Sequence, residues 1–230
     1  EQLSAWANNP LNSELLGAHA LTVQKKLRNT NLVVNRINKA MSLKPTIGIY
    51  GPSQAGKSYL TAKFAENLNG KLSVNMDKEY DFLRDINPSG GRESTALVSR
   101  FSTDTIQKNK DYPIQAKLLS EAEIVCILAN SYFCDNDEPV YPNDDQISEI
   151  LSGCDVDISS VQHHNEEALL IEHYLEKKIL PRNLKGRFAN LWVAIANCYE
   201  NSSLEIRARV YSILWNLDEN FSNLFVKLAT

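Results

Sequence analysis

Gly51-Pro52-Ser53-Gln54-Ala55-Gly56-Lys57-Ser58 fits the spacing GxxxxGK[ST] of a phosphate-binding loop. Each part of the pattern has a mechanical reason. The glycines let backbone N–H groups turn inward and ring a phosphate, and Lys57 brings a point charge to the β- and γ-phosphates. The Ser58 hydroxyl can ligate Mg²⁺, and a helix starting there aims its positive end at the same anion. The cradle is read as Gly51, Ser53, Gln54, Ala55, Gly56, Lys57, Ser58 and Tyr59, and its ligand as GTP or ATP with Mg²⁺.

The flanks match what such a loop requires. Thr46-Ile47-Gly48-Ile49-Tyr50 before it is a short buried-strand candidate. After it, Leu60, Phe64 and Leu68 recur on one face of a helix expected from Lys57 to about Leu68, which Asn69-Gly70 ends. Lys71–Asn75 is another strand candidate. The polar stretch 84–94, with Pro88 and Gly90-Gly91, reads as a loop. Thr95–Ser102 and Tyr112–Leu119, joined across Lys108-Asn109-Lys110, read as an antiparallel hairpin. The expected fold is therefore α/β, a P-loop nucleotide-binding core with a mixed sheet, flanked by N- and C-terminal helices. Its divisions are a helical segment 1–42, the core 43–135 and a helical subdomain 136–230.

The second candidate feature is Gly90-Gly91-Arg92-Glu93-Ser94-Thr95-Ala96-Leu97-Val98-Ser99-Arg100-Phe101, which stands where a GTPase carries its first switch. Thr95 and Ser99 are candidate hydroxyl ligands for Mg²⁺, and Arg92 and Arg100 could stabilise transition-state charge. The candidate catalytic set is Lys57, Ser99, Thr95 and Arg100, and the candidate Mg²⁺ set Ser58, Ser99 and Thr95. Asp81, Asp85 and Glu93 are further candidates to hold Mg²⁺ through water. Two landmarks are missing. No Asp-x-x-Gly follows the second hairpin strand, which runs Ala116-Lys117-Leu118-Leu119 into Ser120-Glu121, and Asn183-Leu184-Lys185-Gly186 does not match a guanine-reading Asn/Thr-Lys-x-Asp.

Elsewhere helices dominate. Leu16, Ala20, Val23, Leu27, Thr30, Val34, Ile37 and Met41 alternate steps of four and three, a heptad seam to be covered by helices of the same chain or by a coiled-coil partner. Ser120-Glu-Ala-Glu123 is a capping box opening a helix to about Phe133. Further helices are expected at about 146–152, 166–180, 184–199, 203–217 and 219–228, punctuated by Pro181, Asn201 and Asp218. Trp192, Tyr211 and Trp215, at helical spacing, read as core.

Composition narrows the partners. The 230 residues carry 24 basic and 28 acidic side chains, a net charge of −4, which gives no electrostatic footprint for nucleic acid or an anionic membrane. No apolar run approaches the roughly 18 residues of a membrane span, and no secretory signal pattern precedes the first helix. Cys126, Cys134, Cys154 and Cys198 form no CxxC pair and read as free thiols of a reducing cytosol. His163, His164 and His173 near Cys154 do not converge at metal-ligand spacing. The start at Glu1 suggests a piece of something longer.

Taken together, Gly51–Leu60, Phe82-Leu-Arg-Asp-Ile-Asn-Pro88, Gly90-Gly-Arg-Glu-Ser-Thr95, Val98-Ser-Arg-Phe101 and Arg207-Ala-Arg-Val-Tyr-Ser-Ile-Leu-Trp215 resemble the SrfC-type virulence factors of bacteria, from about residue 40 to the end. Members of that family are several times longer, so the resemblance implies an N-terminal portion or a shortened relative. It also implies a bacterial protein, cytoplasmic or translocated into host cells, with operon companions docked through its helices. A more distant similarity, carried by Ala55-Gly-Lys-Ser58 and Leu97-Val98-Ser99-Arg100, is to dynamin-like GTPases, and by position it gives Ser99 the switch-hydroxyl role. This implies Mg²⁺-dependent binding of a nucleoside triphosphate, GTP ahead of ATP, with slow or partner-stimulated hydrolysis. The alternative is a non-catalytic nucleotide-binding module that docks companion proteins.

Overall fold

The computed structural model describes residues 2–52, 55–88, 98–102, 111–112, 114, 116–159, 165–181, 184, 186–199 and 201–230. Contacts divide the chain into two units, residues 1–43 with 118–230, and residues 44–117.

The first unit is helical. Helices α1 (Gln2–Asn8) and α2 (Pro10–Leu16) precede the long α3 (Ala20–Met41), and after residue 118 come α5 (Glu121–Asp135), α6 (Asp144–Gly153), α7 (Glu166–Tyr174), α8 (Ala189–Cys198), α9 (Leu204–Tyr211) and α10 (Glu219–Ala229). Side chains stop and start these helices. Ser120 and Glu123 make the expected capping box reciprocally: Glu123 N–H donates to Ser120 Oγ at 3.2 Å, and Ser120 N–H to Glu123 Oε2 at 2.9 Å. Asn143 and Gln146 make a second reciprocal box at α6, and the side chains of Asn165, Ser203 and Asp218 accept from first-turn N–H groups of α7, α9 and α10. The Ser120 hydroxyl also donates to Glu167 Oε2 of α7 at 2.6 Å. Ser120→Ala is therefore expected to cost about 1–2 kcal/mol; thermal denaturation should show Tm lower by several degrees.

The core forms around α5. Ala122, Val125 and Ala129 are fully buried and Ile124, Cys126, Leu128 and Tyr132 nearly so, because α7, α10 and the segment after α9 surround this helix. Trp215, Tyr211, Phe225, Phe188 and Leu191 fill the remaining space. One polar network ties α5 to α9. The Glu121 carboxylate accepts from Arg207 Nε and Nη2, both at 2.9 Å, and from the Tyr211 hydroxyl at 2.8 Å. Burial, with Glu121 beside it, pushes the Tyr211 phenol far above its ordinary range.

The heptad seam of α3 is covered only in part. Of its members Ala20 is buried and Val23 and Leu27 are half-buried, where α1 and α7 pack, whereas Thr30, Val34, Ile37 and Met41 are exposed; Leu32, off the seam, is also buried. Charge supports the α3–α7 contact: Lys25 lies 2.7 Å from Glu172 and 3.2 Å from Glu176.

The second unit overturns the expected architecture. The only sheet among the described residues is a two-stranded antiparallel hairpin, β1 (Ser73–Asn75) with β2 (Glu79–Asp81), in register Val74 opposite Tyr80. Among the described residues there is no P-loop α/β core with a mixed sheet. Thr46–Tyr50 lies outside any strand pairing, with Ile47 83% and Tyr50 93% exposed. Residues 98–102 and 116–119 are likewise irregular, and 95–97 and 103–110 lie outside the described residues. The physical reason is the location of the apolar surface. Among the described residues this unit buries Ala62, Leu72 and Phe82, with Leu83 and Phe101 packed against them, which is too small a core to cover the face of a sheet. Among the described residues, Lys71–Asn75 is the one strand candidate that contributes a strand. Helix α4 (Lys57–Phe64) is shorter than expected, and the face it buries carries Ala62, leaving Leu60 and Phe64 exposed.

Candidate functional site

Loop 51–58 turns into α4 through Gly56, whose φ of +79° and ψ of 14° place the helix N-cap in the left-handed region. A Cβ there would meet nothing within 4 Å, so the demand for glycine is conformational and not steric. Leu60 N–H donates to Gly56 O at 2.9 Å and starts the helix, and Ala55 N–H reaches Pro52 O at 3.4 Å across the loop. The Lys57 ammonium folds back over the loop, donating to Gly51 O at 2.8 Å and Pro52 O at 2.5 Å. It has three protons, so one is left for a ligand oxygen. Ser53 and Gln54 lie outside the described residues. Tyr59 points to solvent, 61% exposed, with Lys63 Nζ 6.0 Å from its ring centroid.

Ser58, half-buried at the first turn, accepts a 2.6 Å hydrogen bond from Asn87 Nδ2. Asn87 ends a wide helical turn, Phe82–Ile86, which its own N–H closes by donating to Phe82 O at 2.7 Å. Asp81 opens that turn by accepting from Leu83 and Arg84 N–H, both at 3.0 Å. Asp85 accepts from Arg84 Nε at 2.8 Å and from Asp81 N–H at 2.8 Å, and the Arg84 guanidinium holds its carboxyl well down, at about 2. Of the three carboxylates offered as water-linked Mg²⁺ holders, Asp81 and Asp85 are thus engaged in building the turn, and Glu93 lies outside the described residues. Within the polar stretch 84–94 no motif spacing marks Asn87 as a site residue. The Asn87-Pro88 pair, a frequent turn terminus, was the available signal.

The switch candidates divide. Thr95, Arg92 and Glu93 lie outside the described residues. Ser99 and Arg100 stand exposed in an irregular segment, and among the described residues neither makes a hydrogen bond or ion pair with loop 51–58. Phe101 anchors that segment by meeting Phe82 edge-on, ring centroids 4.9 Å apart.

The donors that remain fit a phosphate: a lysine ammonium, the first N–H groups of α4 and a serine hydroxyl converge on one loop. For a phosphate-bound Mg²⁺ the described residues offer the Ser58 hydroxyl. No group of three or more His, Cys, Asp or Glu able to hold a metal ion occurs among the described residues. His163 and His164 lie outside them, and His173 sits on α7 with Nδ1 buried and unpartnered, its pKa lowered first by burial and then by Lys177 and Arg36. Burial pushes the Cys126 and Cys198 thiols up to about 12, which leaves them protonated and inert. No helix among the described residues is long and apolar enough to cross a membrane.

Comparison with curated proteins and with solved structures returned no match. Neither comparison nor fold supports the dynamin-like similarity. One family covers nearly the whole chain, its profile matching residues 5–230 under the description "Putative bacterial virulence factor". With that span matched, the chain belongs to this family of bacterial virulence factors.

Proposed function

We propose that loop 51–58 binds the phosphates of a nucleoside triphosphate, and that the nucleotide serves as a ligand of a virulence factor more than as a rapidly turned-over substrate. The observation that carries this is the geometry of Gly56 and Lys57. A left-handed glycine cap starts α4, and the lysine ammonium lies over the loop it would share with a phosphate, 2.8 and 2.5 Å from two loop carbonyls. Those carbonyls hold the ammonium in place without neutralising it, and the positive end of an eight-residue helix adds to its field. Mg²⁺ bound with the nucleotide would neutralise charge between the β- and γ-phosphates, and Ser58 is the residue that would meet it. Ser99 and Arg100 of the candidate catalytic set make no hydrogen bond or ion pair to the loop among the described residues, and a ligand role is favoured over rapid hydrolysis on that ground.

Competition of unlabelled ATP and GTP against a fluorescent triphosphate, with Mg²⁺ and with EDTA, tests this. Both triphosphates are expected to displace the probe with Mg²⁺ present, GTP ahead of ATP, and the corresponding nucleosides are not. Phosphate release should stay near the uncatalysed rate. Failure of either triphosphate to compete at about 1 mM, an affinity weaker than about 4 kcal/mol, would overturn the assignment.

A further inference from the structure

We propose that Asn87 is a positioning residue for the phosphate loop, holding the Ser58 hydroxyl in the orientation that a phosphate-bound divalent cation requires. This rests on the phosphate-binding reading of loop 51–58 and adds a residue and a cation dependence to it.

The bond spans 29 residues of sequence, Asn87 Nδ2 to Ser58 Oγ at 2.6 Å, so it is a tertiary contact and not a local turn. Both ends are held. Ser58 stands in the first turn of α4, and Ala62, one turn on, is buried with Leu72 and Phe82. Phe82 is the residue whose carbonyl receives Asn87 N–H at 2.7 Å. Asp81, at the end of β2, caps the same turn. The hairpin therefore sets the turn, the turn sets Asn87, and Phe82 fixes the turn against α4.

The chemistry follows from the hydroxyl's inventory. A serine hydroxyl has one proton to donate and two lone pairs to offer. The Asn87 amide donates into one lone pair. The other lone pair stays available to a cation and the proton to a phosphate oxygen, both in directions fixed by the bond to Asn87. Without that bond the hydroxyl is free to sample all three staggered rotamers. Asn87 touches no substrate in this scheme; it acts through Ser58.

Calorimetry of the full chain with non-hydrolysable ATP and GTP analogues, in Mg²⁺ and in EDTA, tests the assignment. Asn87→Ala is expected to weaken binding in Mg²⁺ by about five- to tenfold and to leave binding in EDTA within about twofold. Asn87→Asp is nearly isosteric, which guards against loss of the turn. Its carboxylate would accept a hydrogen bond from the hydroxyl, leave both lone pairs for the cation and repel a metal-free triphosphate, so the ratio of Mg²⁺ to EDTA affinity should rise above that of the unmodified chain. In a Ser58→Ala background Asn87→Ala should have no further effect, because the two act through one hydroxyl. A purely structural Asn87 would lower both affinities alike and add to Ser58→Ala, which would overturn the proposal. An unmodified chain that binds, with Asn87→Ala keeping its Mg²⁺ ratio, removes Asn87 and leaves the phosphate loop standing. An unmodified chain that binds no triphosphate removes the loop reading and this inference with it.

Discussion

Lys57→Ala is expected to lower the affinity for a nucleoside triphosphate by about a hundredfold while leaving the fold intact. A hydrogen bond to a charged group is worth about 1.5–3 kcal/mol, and the upper part of that range corresponds to roughly a hundredfold. The ammonium meets an anion carrying several charges, so the upper part applies. The cost to folding is small. Among the described residues Lys57 donates to the carbonyls of Gly51 and Pro52, at the surface of the loop, and water can replace it at both. Thermal denaturation should therefore give a Tm close to that of the unmodified chain, and calorimetry a loss of binding. Unchanged affinity in a folded Lys57→Ala protein would remove Lys57 from the site.

Trp215→Ala should have the largest effect on stability, about 3–5 kcal/mol. Trp215 is fully buried in the helical unit and stacks near Phe221 and Phe225, with ring centroids 6.4 and 6.3 Å away. Its indole N–H donates to Ser222 Oγ at 2.9 Å, and Ser222 in turn donates to Asp218 O at 2.8 Å at the cap of α10. Truncation leaves a cavity among aromatic rings and loosens that helix start. Natural domains are stable by about 5–15 kcal/mol, so the variant should be partly unfolded at 37 °C. Trp6→Ala, at a side chain 48% exposed, should cost less than about 1 kcal/mol. Equal urea midpoints for the two variants would contradict the placement of Trp215 at the centre of the core.

These two residues also mark how far the sequence could be read. Trp215 was legible as core because helical spacing puts Tyr211 and Trp215 on one face, and burial follows from that face alone. The turn at Gly56 and the helix start at Lys57 were legible because residue type within one turn of backbone decides them. The sheet was not legible. Thr46–Tyr50 has the composition of a buried strand, yet a strand exists only with a neighbour to bond, and the segment stands exposed without one. The expected inward face of α4, Leu60 and Phe64, is exposed for a related reason: Leu72 and Phe82 meet the helix at Ala62 instead.

By itself the sequence determined what is local. The capping boxes, the helix starts at Ser120, Asn143, Ser203 and Asp218, and the glycine turn into Lys57 each close within about four residues, where residue type decides the geometry. The tertiary structure alone decided that the second unit carries a two-stranded hairpin and no wider sheet among its described residues, that α3 is covered along half its seam, and that Asn87 reaches Ser58. Those outcomes depend on which distant segments compete for the same apolar surface or hydrogen-bonding group, and periodicity along one segment says nothing about its competitors.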